Sequence, residues 1–239
     1  MVPSALRFVP YEESADVANI VVDGSPNAGT VLVVSHWPGL PTPPGCAADT
    51  SAQMVFRYLE RGADLHGGAG VVTNNHFDQD GVAGVYALVC PDDGLRRRTQ
   101  LEGLASAGDF AVAPDRDAAR LSMAVATLSD PTRSPLGRLP ENHGEACADL
   151  YDAALCMLPS WLDDPDRCRG LWADEDAELE AGFRSIASGA ASIEEDTHLD
   201  LAVVTLAEAD RSSGHRFAGR IFRGIHPIAL HTRQSPRRS

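Results

Sequence analysis

The sequence predicts an α/β protein with a mostly parallel sheet, crossover helices, a more helical second half and a few late strands. Three observations predict it. Short β-branched runs in the first half are apolar without interruption, as in strands buried on both faces. They alternate with segments of helical periodicity, the pattern of a parallel sheet with crossovers. From residue 96 onward helical spacing dominates until strand character returns at residue 200.

In chain order, Asn19-Ile20-Val21-Val22-Asp23 and Thr30-Val31-Leu32-Val33-Val34-Ser35 read as the first strands. A loop rich in Pro and Gly spans residues 38–45, and Asp49-Thr50-Ser51 offers an N-cap, with Asp49 the favoured residue, for a helix through Met54, Phe56, Tyr58 and Leu59. Gly70-Val71-Val72-Thr73-Asn74 is a third strand, followed by a small-residue helix over 81–90. Residues 96–107, 115–128, 144–162 and 172–187 carry apolar side chains at helical spacing, and 131–144 reads as a hinge or long loop. Strands are expected again at 200–206, 220–225 and 228–232, before a basic, frayed tail at 233–239. The expected organisation is an α/β core over 1–190 with C-terminal strands over 191–239 packed on it or completing its sheet; a single domain is the other arrangement.

Composition excludes several activities. All 20 basic residues among the 239 are arginine. Without lysine the chain cannot form a Walker A loop, a pyridoxal phosphate Schiff base or a protein-kinase site of the common type. A net charge of −14 opposes binding to a long nucleic acid, although divalent cations can reverse the local sign for a small anionic substrate. Five cysteines without a C-x-x-C pair suit neither a disulfide framework nor a zinc ribbon. No G-x-S-x-G elbow is present, and Gly68-Ala69-Gly70 precedes a strand instead of following one, the wrong context for a dinucleotide loop. No apolar run is long enough to span a bilayer, and residues 1–10 lack a basic region followed by an apolar core, so a cytoplasmic, membrane-free protein is expected.

The segment with chemistry is Val71-Val72-Thr73-Asn74-Asn75-His76-Phe77-Asp78-Gln79-Asp80-Gly81. A strand ends, a His and two Asp follow at spacing two, and a helix opens at a Gly. Residues at the carboxyl end of a parallel strand project into the crevice where α/β proteins place their sites. An imidazole with two carboxylates is a hard N/O set suited to Mn²⁺, Mg²⁺ or Fe²⁺. Alternation across the turn lets His76 and Asp78 meet one ion while Asp80 reaches a second. The structural alternative is a capped turn, with Asp78 or Asp80 satisfying helix amides.

This segment resembles motif one, H-x-D-x-D-G, of the DHH phosphoesterase superfamily. The resemblance implies a pair of divalent cations, manganese foremost, held by His76, Asp78 and Asp80 and activating a water for attack on phosphorus. It implies a further metal-binding Asp after a strand, for which Asp109 is the nearest candidate, although the stretch before it reads as helical. The chain departs from the family in lacking Asp-His-His. His143 in Asn142-His143-Gly144-Glu145 and His36 in Ser35-His36-Trp37-Pro38 are the substitutes, as ligands or proton carriers. Gly224-Ile225-His226-Pro227 faintly echoes the family's C-terminal Gly-His motif, which makes His226 a substrate-binding candidate. The SHWPG and NNHFDQDG stretches also resemble those of an actinobacterial family with no assigned activity.

Other groups have two readings. Arg116 and Arg120 lie one turn apart and form either an anion clamp for substrate or surface pairs with Asp115 and Asp117. The run Asp174-Glu175-Asp176 reads as a solvated helix start, and His231 and Arg233 stand near the last strand. The function expected is therefore a metal-dependent hydrolase, foremost a phosphoesterase acting on a small phosphorylated metabolite or nucleotide. The alternatives are a non-haem iron enzyme or C–N hydrolase using the same cluster, or a non-catalytic ligand-binding protein of the same fold. A homodimer is compatible with all of them.

Overall fold

The computed structural model describes residues 6–61, 67–112, 115–199, 201–206 and 231–232. Four strands form a parallel sheet: β1 (Arg7–Phe8), β2 (Asn19–Val22), β3 (Thr30–Val34) and β4 (Val71–Thr73), in the order β1-β4-β2-β3. Every residue of β2 and β4 is buried, which explains why both read as uninterrupted apolar runs. The described residues form seven α-helices, of which α1 alone joins two strands of this sheet and the rest follow β4: α1 (Ser51–Glu60), α2 (Gln79–Val89), α3 (Pro91–Arg96), α4 (Arg98–Phe110), α5 (Arg116–Leu128), α6 (His143–Asp163) and α7 (Arg169–Ser188). A second sheet, β5 (Ala191–Asp196), β6 (Leu201–Leu206) and β7 (His231–Thr232), has β5 antiparallel and β7 parallel to β6. No described helix is long and apolar enough to cross a membrane.

The α/β class, the parallel sheet and the late strands agree with the sequence reading, and the differences are local. The two-residue β1 is too short for a pattern, and it is placed by pairing with Val71 and Val72. The acidic, largely exposed β5 has only Ala191 and Ile193 as apolar residues and is held along its length by β6. Thr50, not Asp49, caps α1: its hydroxyl accepts from the Gln53 N–H at 3.2 Å, while the Gln53 carboxamide accepts from the Thr50 N–H, a capping box. The helix expected at 81–90 starts two residues earlier because Asp78 caps it. The expected strand 220–225 lies outside the described residues, as does most of 228–232.

The core lies between the sheet and the helices. Ile20, Val22, Val55, Phe56, Val85, Leu88, Leu104 and Leu121 are buried in one continuous cluster. Helix α2 packs against α1 and α4, and α4 against α5. Gly84 lets α2 approach the sheet closely, since a Cβ there would stand 2.6 Å from Val22 Cγ1 and 3.4 Å from Val55 Cγ2. Val22 is fully buried and has nowhere to move. Gly84→Ala is therefore expected to destabilise the fold by about 1–3 kcal/mol through overpacking, read as a lower urea midpoint with an unchanged slope.

Candidate metal centre

Three adjacent parallel strands deliver the centre at their carboxyl ends. After β2 the chain enters Asp23, whose φ of 48° turns it out of the sheet, while its N–H still donates to the Val34 carbonyl at 3.0 Å. Asp is among the few non-glycine residues that tolerate this left-handed region. After β3 come Ser35, His36 and Trp37. After β4 the Asn74 carboxamide accepts from the His76 N–H at 3.1 Å, and Asp78 Oδ1 accepts from the Gly81 N–H at 2.8 Å. Two side-chain caps thus shape the turn carrying His76, Asp78 and Asp80.

These side chains meet as two sets that share Asp23. Asp23 Oδ2 lies 3.2 Å from His76 Nε2, which is 3.1 Å from Asp78 Oδ2. Asp23 Oδ1 lies 3.6 Å from His36 Nε2, which faces Asp109 Oδ2 at 3.5 Å and Asp80 Oδ2 at 3.9 Å. In each of the triads Asp23–His36–Asp80 and Asp23–His76–Asp78 the ligand atoms lie within 4.8 Å of one another. The interior side is formed by Asp23 and Asp80, with side chains 2% and 0% exposed. Asp80 is held there by α1, whose first N–H groups, from Ser51 and Ala52, donate to its two oxygens at 2.6 and 2.7 Å.

Four carboxylates converge, and no arginine balances the charge of the cluster among the described residues. Burial and then the Asp23 charge push Asp80 up to about 7, against the opposing pull of the α1 N–H groups. Burial, followed by the charges of Asp80, Asp78 and Asp23, pushes Asp109 up to about 7, with His36 opposing. Burial pulls the His76 imidazole down, but its bonds to Asp23 and Asp78 outweigh that and carry it up to about 10.

The donor set fits a divalent cation. His36 Nδ1 lies 2.7 Å from the Asp49 carbonyl, which can only accept, so Nδ1 carries a proton and Nε2 is the ring nitrogen turned toward the carboxylates. Metal-bound histidines are oriented in this way by an outer acceptor. Two imidazoles among carboxylates form the mixed N/O set that suits Mn²⁺, Fe²⁺ or Mg²⁺.

A family model covers residues 4–238 of the chain; its description is "Family of unknown function (DUF6687)". The chain belongs to this family. No curated protein and no solved structure matches it.

In this DUF6687 chain the sequence-selected residues separate into two groups. His36, His76, Asp78, Asp80 and Asp109 come together, Asp109 from a helix as its sequence context suggested. Asp78 both caps α2 through Oδ1 and faces His76 through Oδ2, so the capped turn and the ligand set are one structure. His143 lies beside it: its Nε2 is 3.3 Å from the Asn75 carbonyl and 3.5 Å from Cys147 Sγ, and it forms no ion pair with the carboxylates. Arg116 and Arg120 do form an anion clamp, but its anion is Asp176 of α7. Arg116 also meets Glu180, and Arg120 meets Asp117 at 2.9 Å while lying over Trp172. Their donors are thus committed within the fold, and Asp176 is a structural anchor, 13% exposed, not a solvated surface acid. His226 lies outside the described residues.

Asp23, shared by both sets, is the residue sequence reasoning missed. The signal was its position: it directly follows the apolar run Ile20-Val21-Val22, as the His36 and His76 segments follow their strands.

The pH dependence follows from these shifts. A carboxyl raised from 3.8 in the unfolded chain to about 7 when folded contributes stability at low pH that is lost as pH rises through 7. The raised His76 contribution is complete below 6.5 and is lost as pH rises through about 10, the same direction. Chelator-treated protein should melt at a lower temperature at about pH 8 than at about pH 5. A flat or rising profile would contradict the buried, mutually repelling carboxylates.

Proposed function

We propose that the chain is a metal-dependent hydrolase, foremost a phosphoesterase, using two divalent cations on a small anionic substrate such as a phosphorylated metabolite or nucleotide. The observation that carries this reading is the two-sided placement of Asp23, with one oxygen toward His36 and Asp80 and the other toward His76 and Asp78. A carboxylate so placed is suited to bridging two ions. Asp80, Asp109 and His36 would hold one with Asp23 Oδ1, and His76 and Asp78 the other with Asp23 Oδ2. When bound, such a pair lowers the pKa of a coordinated water and offsets charge developing on phosphoryl oxygens.

The protein's own groups contribute orientation and charge. The His36 ring is oriented by the bond from Nδ1 to the Asp49 carbonyl. The Trp37 ring packs 5.2 Å from the His76 ring and covers one side of it. Burial and the neighbouring carboxylates push Asp109, 16% exposed, up to about 7, so it would give up a proton near neutral pH as a cation binds. Manganese is the favoured metal because the donors mix imidazole and carboxylate. The two imidazoles fall in different ligand sets, which speaks against one iron in a 2-His-1-carboxylate site. The net charge of −14 favours a small substrate over a long polyanion. The likeness of the His76–Gly81 segment to the DHH phosphoesterases supports the choice of bond.

Protein purified without chelator should carry about two equivalents of manganese or a similar ion. His76→Ala should retain about one, and Asp78→Ala with Asp80→Ala should retain none. A panel of phosphorylated metabolites and nucleotides should include one hydrolysed in the presence of Mn²⁺ by the wild type but not by Asp23→Asn. Absence of metal even after soaking would sink the proposal, and one equivalent of iron would replace it with a mononuclear enzyme.

A further inference from the structure

We propose that Ser51 is a positioning residue of this centre, its hydroxyl fixing the Asp23 carboxylate so that the two oxygens address the two ligand sets. The inference rests on the two-cation reading and extends it to a residue that no motif indicates. Ser51 is fully buried at the first position of α1. Its Oγ lies 2.7 Å from Asp23 Oδ1, and the His36 N–H meets the same Oγ at 3.0 Å. A backbone N–H can only donate, so Oγ accepts from His36 and its single proton goes to Asp23. The Ser51 N–H donates in turn to Asp80 Oδ2 at 2.6 Å. One residue therefore ties together a strand end (Asp23), the next strand's exit (His36) and the buried carboxylate of α2 (Asp80).

The side chain is free for this task because α1 is capped by Thr50. Without the hydroxyl, Asp23 Oδ1 loses its only hydrogen-bond donor among the described residues, while Oδ2 keeps His76 at 3.2 Å. The carboxylate can then rotate toward the His76 set, and the link between the two sets is lost. The backbone N–H bonds to Asp80 do not depend on the side chain and persist.

The test is Mn²⁺ titration of the full chain, followed by calorimetry and electron paramagnetic resonance. Wild type should show two ions with the exchange-coupled spectrum of a carboxylate-bridged pair. Ser51→Ala should bind the second equivalent roughly ten- to hundredfold more weakly, the range for loss of a group that orients a metal ligand, and show uncoupled spectra. Ser51→Thr, which keeps the hydroxyl, should restore the coupled spectrum and decides the matter if Ser51→Ala does not fold. Thr50→Ala weakens the α1 cap but leaves the Asp23 bond, and should remain coupled. Coupled spectra and unchanged affinity in Ser51→Ala would overturn the proposal and leave the two-cation reading standing. It would equally be overturned by a Thr50→Ala variant that loses coupling as Ser51→Ala does, or by a folded but uncoupled Ser51→Thr. Wild type that binds no Mn²⁺ would remove the two-cation reading itself, and this inference with it.

Discussion

Repulsion among four converging aspartates is the constraint around which this molecule is organised. Asp23 and Asp80 are buried, and Asp78 and Asp109 complete the group with only two imidazoles between them. Charges at such spacing in a poorly solvated site repel strongly. The fold offsets this locally. Helix α1 aims its N-terminus at Asp80, and α2 begins at Asp78, so each of these carboxylates faces the positive end of a helix dipole. What remains is relieved by protons on Asp80, Asp109 and His76 near neutral pH, or by cations.

The sheet order makes the convergence possible. With β2 between β4 and β3, Asp23 stands centrally, with the His76–Asp78 turn on one side and His36 on the other. Ligands in open α/β sheets bind beyond the carboxyl ends of the strands. The pairing of β2 on both sides anchors this placement, with Ile20, Val21 and Val22 opposite Leu32, Val33 and Val34 of β3 and Ile20 and Val21 opposite Val72 and Thr73 of β4. The side chain following Val22 is delivered to the same place as those leaving β3 and β4.

How much of this is legible in sequence depends on the range of the contact. The strands and most helices follow from local periodicity, and the H-x-D-x-D-G turn was visible because its ligands and caps lie within a few residues. Asp109 needed a resemblance to single it out, since its bond to the centre crosses from α4 to β3. Asp23 had only its position as a signal, and a lone acid after a strand resembles any strand end; its role arises when β3 and β4 flank β2. The cap of α1 fell one residue from the expected Asp49 because the capping box is set by Gln53, three residues after Thr50. Of the expected partners of the α5 arginines, the local Asp117 does pair with Arg120, but the shared partner Asp176 was out of reach of the sequence because it lies 56 to 60 residues away on α7.

Capping by the His76–Gly81 segment does not preclude ligation. Asp78 gives one oxygen to α2 and turns the other toward His76, and Asp80 holds the first amides of α1 while facing His36. The same bonds that start the helices orient these side chains, so the cluster is pre-organised by regular structure. The two helix N-termini hold the interior carboxylates, and exposure rises outward from Asp80 through Asp109 and the two histidines to Asp78. A substrate would therefore approach from the side of Asp109, Asp78 and the imidazoles. Because no arginine pairs with these carboxylates on that side among the described residues, attraction of an anion to this face depends on bound cations reversing its sign.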